Sequence, residues 1–184
     1  SLARLFGIIG DCENNSIKNN SWPDKPLGSF KEKDTDATWL YGCNGFFRKE
    51  IFSNPIVETE MFGWSFLEDV VMGHRACSVY GGKFKLLKDL KVLHSGVETA
   101  GEITVLSIKM RILYRYIFWK ELNETPSFKQ RLSFNWSMLG NCILLLKQKF
   151  SLITMKTIIN SHLFISANKT ISWKEANVFI IKKD

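Results

Sequence analysis

One stretch, Trp64-Ser65-Phe66-Leu67-Glu68-Asp69-Val70-Val71-Met72-Gly73-His74-Arg75, leaves the chain little choice of local structure. Ser65 is a good N-cap and Glu68 follows three residues later, the spacing of a capping box. Leu67, Val70, Val71, His74, Cys77 and Ser78 then recur at helical intervals, so one face is largely apolar. Gly81-Gly82 supplies a stop, because left-handed backbone costs glycine little. Glu68 and Asp69 fall in the first turn, where unpaired amides and the helix dipole favour ionised carboxylates. Acidic residues also collect there simply because they stabilise helices, and Glu68 is explained as a cap partner. Asp69 is not, and a poised anion on a rigid element is what a general base needs.

Charge divides the chain. Residues 1–102 carry 12 Lys/Arg and 14 Asp/Glu, residues 103–163 carry 9 against 2, and residues 164–184 carry 4 against 2. The whole excess of +7 therefore lies in the second half. Such a segment suits an anionic partner, whether phospholipid headgroups, a lipid-linked pyrophosphate or nucleic acid; a solvated charged face is the plainer alternative. The 184 residues suffice for one domain, and 45% hydrophobic with 13% aromatic content excludes a disordered chain. Cys12, Cys43, Cys77 and Cys142 show no Cys-x-x-Cys spacing, so neither a zinc site nor a disulfide framework is expected, and a reducing compartment fits. Ser1 is followed by no charged-then-apolar leader, so no signal peptide is expected.

Along the chain, residues 1–10 read as a helix end or a packed loop, and residues 11–36 as a polar exposed loop. Thr38-Trp39-Leu40-Tyr41 predicts a strand running into Gly42-Cys43-Asn44-Gly45, a turn that lets backbone approach a ligand closely. A short helix over Phe46–Phe52 follows. Lys83–Leu87 and Leu90–Leu93 read as strands, the second opening at His94 into a loop, where a histidine serves equally as surface hydrogen-bonder or ligand. His74 reads as a half-buried helix residue. Ile103–Leu122 predicts a long helix with interleaved basic and aromatic residues, and Pro126 a new start for a helix over Ser127–Phe150. Residues 132–146 are uncharged but too short for a span, since crossing takes about 20 residues. They suit a basic amphipathic helix in the membrane interface, or a helix packed on its own domain. A last strand is predicted at Asn177–Ile181.

Taken together, residues 38–94 resemble the second half of a family 2 glycosyltransferase with the GT-A fold. The matching parts are Gly42-Cys43-Asn44-Gly45-Phe46-Phe47-Arg48, then Glu68-Asp69-Val70-Val71-Met72-Gly73-His74-Arg75, then Val92-Leu93-His94. Arg111-Ile112-Leu113-Tyr114-Arg115-Tyr116 also resembles a segment of bacterial polysaccharide-forming members. The resemblance implies an α/β chain, a partial GT-A-like fold of short strands around a central catalytic helix, followed by amphipathic helices. Residues 1–102 would form the acceptor-side half of the catalytic domain and residues 103–184 a basic, mainly helical region. Asp69 would be the catalytic base and Glu68 would orient the acceptor or hold the helix start. Gly42, Asn44 and Gly45 would wall the substrate site, Trp64 would stack on a sugar, and Arg48 or Arg75 would support the site or meet a phosphate. His94 would help bind a divalent cation, Mn²⁺ or Mg²⁺, the nitrogen suiting Mn²⁺ better.

The implied partners are a nucleotide-sugar donor, a glycan or lipid-linked acceptor, and a membrane surface met through residues 103–163 at its cytoplasmic face, with no nucleic acid. Members of the family begin with a nucleotide-binding half that ends in an Asp-x-Asp motif. These 184 residues hold none, Asp34-Thr35-Asp36 lying too late in a polar loop. The chain is thus expected to carry the acceptor side and base but not the donor pocket, and to be inactive alone. A non-catalytic membrane-surface or partner-binding module is the rival reading, and nucleic-acid binding through residues 103–163 a third.

Overall fold

The computed structural model describes residues 1–8, 16–18, 20, 23–24, 34–39, 49–50, 66–87, 89 and 103–182. These are mostly helical: α1 (Leu2–Leu5), α2 (Glu68–Tyr80), α3 (Val105–Leu122), α4 (Phe128–Gln148), α5 (Leu152–Ala167) and α6 (Trp173–Ile181). The described strands form two short antiparallel pairs, β1 (Ser16–Ile17) with β2 (Pro23–Asp24), and β3 (Thr35–Ala37) with β4 (Phe84–Leu86). β4 falls where expected. β3 lies before the anticipated Thr38–Tyr41 strand, overlapping the end of the stretch read as loop, where Asp36 opposite Lys85 gives it a charge-paired register. The expected helix at Phe46–Phe52, apart from Lys49 and Glu50, and the strand at Leu90–Leu93 lie outside the described residues.

Helix starts are set by side chains. Thr104 and Ser107, Ser127 and Gln130, and Ser172 and Glu175 each form a reciprocal capping box, and Ser151 caps α5 through the Thr154 amide. The strand predicted at Asn177–Ile181 is a correction: those residues belong to α6. Its β-branched and aromatic run suits a strand locally. The box at Ser172, and burial of Trp173, Ala176 and Ile180 on one helical face, decide otherwise.

α3 is the axis. Met110, Leu113, Tyr114, Ile117 and Phe118 on one side pack with Val70 and Val71 of α2, Trp39, and Trp173 and Ile180 of α6. Ile108, Ile112 and Trp119 on the other side meet Phe134, Met138 and Leu145 of α4 and Ile158 of α5. The core thus joins residues from both sides of position 102. The cations expected to give α3 a basic surface are largely inside: Lys109 and Arg115 are buried and Arg111 is half-buried. Lys109 Nζ donates to the carbonyl oxygens of Lys182 (2.8 Å) and Phe179 (3.5 Å), answering the C-terminal dipole of α6. Tyr114 donates its hydroxyl to Asn177, a second polar tie to the same helix.

α5 is arranged with its polar side inward. Thr154, Thr157 and Ser161 are buried, while Leu152, Ile153, Ile159 and Leu163 are exposed. The inner hydroxyls of Thr157 and Ser161 are satisfied by carbonyls one turn back, Ile153 and Thr157, so these small side chains pack without orphaned donors. Cys142 of α4 meets His162 of α5 at 3.3 Å from Sγ to Nε2. Burial pushes the thiol up to about 11 and the imidazole below its usual range, so both are neutral near pH 7. Among the described residues, no helix is long and apolar enough to cross a membrane.

His74 titrates low for the same reason, desolvation, with Glu121 opposing and Arg75 assisting the shift. A folded-state value below the unfolded one makes the unfolded chain the better proton acceptor. Stability should therefore be full above the unfolded histidine value of about 6.5 and fall as pH drops through the folded values. Urea titrations between neutral and mildly acidic pH should show this slope, and the double variant His74→Gln, His162→Gln should flatten it. An unchanged slope would refute the assignment.

Candidate functional site

The candidate site is the start of α2, and its entry differs from the expected capping box. The helix begins at Glu68, with Leu67 at the N-cap in a left-handed conformation (φ 80°, ψ 7°). Glu68 is therefore the first helical residue, not the third, and Ser65 lies outside the described residues. Left-handed backbone is costly for a branched side chain, about 1–3 kcal/mol, and persists only where surroundings enforce it. Here the enforcement is visible. Leu67 buries its side chain in the core, and the preceding Phe66 ring is flanked by Arg111 (5.2 Å) and Arg115 (5.3 Å) of α3. Burial and the like charge of Arg111 hold Arg115 down at about 9.

The turn delivers the two carboxylates differently. Glu68 is exposed, whereas Asp69 is half-buried and its Oδ1 accepts the Val70 amide at 2.8 Å. Val70 is in the first turn, where amides lack helical partners, so Asp69 also has a structural role that its spacing did not reveal.

Two contacts fix the direction of α2. Gly73 lies against Thr38 and Trp39: a Cβ built there would meet Trp39 Cα at 2.7 Å and the Thr38 carbonyl oxygen at 3.0 Å. Two residues on, Arg75 forms a bidentate pair with Glu121 of α3, Nε to Oε1 2.6 Å and a terminal nitrogen to Oε2 2.9 Å. Arg75 sits six residues beyond Asp69, about 9 Å along the axis, and ties α2 to α3. His74 is half-buried as expected, edge-on to Phe118 at 5.7 Å between ring centres. The helix closes at Gly81 in the left-handed region (φ 63°), also as expected.

Of the anticipated site residues, Asp69, Glu68 and Arg75 are described and share one helix. Gly42, Asn44, Gly45, Arg48, Trp64 and His94 lie outside the described residues. Asp36, of the Asp-x-Asp match, is ion-paired with Lys85 and Lys83, which hold its carboxyl below the usual range. Among the described residues, no group of three or more His, Cys, Asp or Glu side chains could hold a metal ion. Sequence reasoning missed Glu121 and the cationic cradle around Phe66, since partners 46 residues apart leave no local pattern. No protein-family model, curated protein or solved structure matches the chain.

Two measurements check this frame. Gly73→Ala should lower stability by about 1–3 kcal/mol in urea melts, crowding against Trp39 outweighing better helix propensity. A double-mutant cycle on Arg75→Ala and Glu121→Ala should return a coupling of about 1–2 kcal/mol; coupling near zero would show that the pair does not hold α2 in place.

Proposed function

We propose that the chain is the acceptor-side part of an inverting family 2 glycosyltransferase with a GT-A-like fold, acting in cell-surface polysaccharide synthesis at the cytoplasmic face of a membrane. The observation that carries this reading is the strained Leu67 turn, which sets Glu68 and Asp69 at the head of a helix braced by Gly73 and Arg75. Strain of that kind concentrates at functional sites.

In this reading Asp69 takes the proton of an acceptor hydroxyl. That oxygen bonds to the anomeric carbon of the donor sugar as the carbon–oxygen bond to the nucleoside diphosphate breaks, its electron pair leaving with the diphosphate. One displacement inverts the centre and needs one base. Glu68, exposed beside it, orients the acceptor. A divalent cation, with His94 among its ligands, would supply charge neutralisation to the departing diphosphate. Donor binding is assigned to a nucleotide-binding half not contained in these residues, so the chain by itself would be inactive.

The bond from Val70 N–H to Asp69 favours a second reading, a non-catalytic membrane-surface or partner-binding module whose acids only start a helix. Asp69→Asn separates the two, because Asn keeps an oxygen for the Val70 amide while losing the base. In the native full-length enzyme, sugar transfer followed by product mass should fall about 10²–10⁴-fold with melting temperature unchanged. Undiminished transfer would remove Asp69 as base and leave the second reading.

A further inference from the structure

The outer surface of the α4–α5 hairpin is built the wrong way round for water. On α4, Phe128, Leu132, Trp136, Leu139 and Ile143 are exposed, from 36% at Ile143 to 82% at Phe128. At about 100° per residue these five fall within an arc of roughly 80°, a single stripe along the helix. Beyond the end of α4, Phe150 and Leu152 are exposed 76% and 80%. α5 repeats the pattern, burying Thr154, Thr157 and Ser161 while turning Ile159 and Leu163 outward. α1 extends the apolar surface: its Leu5 carbonyl accepts the Trp136 indole N–H at 3.0 Å, and Leu5 itself is exposed.

Charge identifies the occupant. Residues 125–174 hold seven Lys/Arg and no Asp or Glu. On the α4 helical wheel Lys129 and Lys147 fall beside the stripe on one side and Arg131 on the other. An apolar stripe with an indole and a cationic rim matches a lipid interface with anionic headgroups, where tryptophan and lysine are favoured. No described helix could cross the bilayer, so the hairpin would lie on it. We propose that the α4 stripe and the α4–α5 turn seat the protein on an anionic phospholipid surface. The contact moves from residues 103–163 at large to this hairpin, since Lys109 and Arg115 of α3 are buried. It rests on the membrane placement in the reading above and not on the chemistry at Asp69.

The test is flotation of the full chain with vesicles of phosphatidylglycerol and phosphatidylcholine, against phosphatidylcholine alone. The wild type should bind the anionic vesicles, more weakly as salt rises. Leu132→Glu with Leu139→Glu should reduce binding at least about tenfold with an unchanged circular dichroism spectrum. Lys129→Glu with Lys147→Glu, which leaves the stripe intact, should weaken binding to the anionic vesicles alone. Wild-type chain that stays unbound, or variants that float like wild type, would overturn the proposal. So would a wild-type dimer in sedimentation that the leucine variant dissolves without any vesicle binding, which would make the stripe a contact between copies. Loss of transfer in Asp69→Asn leaves flotation unchanged, so the two proposals fail separately.

Discussion

The burial of α3 on all sides is the constraint on which the described structure depends. Between Ile108 and Trp119 no residue of that helix is exposed. A helix so enclosed needs neighbours on every side, and α2, α4, α5 and α6 supply them. Of the interior cations, Lys109 is met by the carbonyl end of α6, and Arg115 lies over the face of Phe66. Leaving such a charge buried without compensation would cost far more than any one apolar contact provides.

The same packing shapes the candidate site. Phe66 seated among α3 guanidiniums and Leu67 pressed into the core force the backbone through a conformation that leucine otherwise avoids. Asp69 therefore reaches its position through long-range packing rather than through a local cap. Its bond to the Val70 amide and its candidacy as a base are compatible, since a carboxylate has acceptor sites on both oxygens.

How much could be read beforehand follows from where each signal resides. The stop at Gly81, the span of α3 and the start of α4 after Pro126 depend on neighbours in sequence, and all were legible. The Asn177–Ile181 segment was not, because its residue types favour strand, and the box at Ser172 prevails only with the distant surface of α3, which rewards Ala176 and Ile180 for lining up on a helix. Lys109 and Arg115 looked like surface charges for a similar reason: the groups that accept them lie up to 73 residues away or around a ring on another element. At the site, the pair of acids and its helix were visible, while the strained entry and the Arg75–Glu121 brace were not.

Lys109 also ties the burial of α3 to the seating of α6. Its ammonium exchanges water for partners that include the carbonyls of Phe179 and Lys182. Docking of α6 and dehydration of Lys109 are therefore coupled. α4 and α5, joined by a short turn, meet α3 largely through apolar and hydroxyl side chains. α6, the shortest of the helices that enclose the core, is thus coupled to α3 through a buried charge, and loosening it would return Lys109 to water.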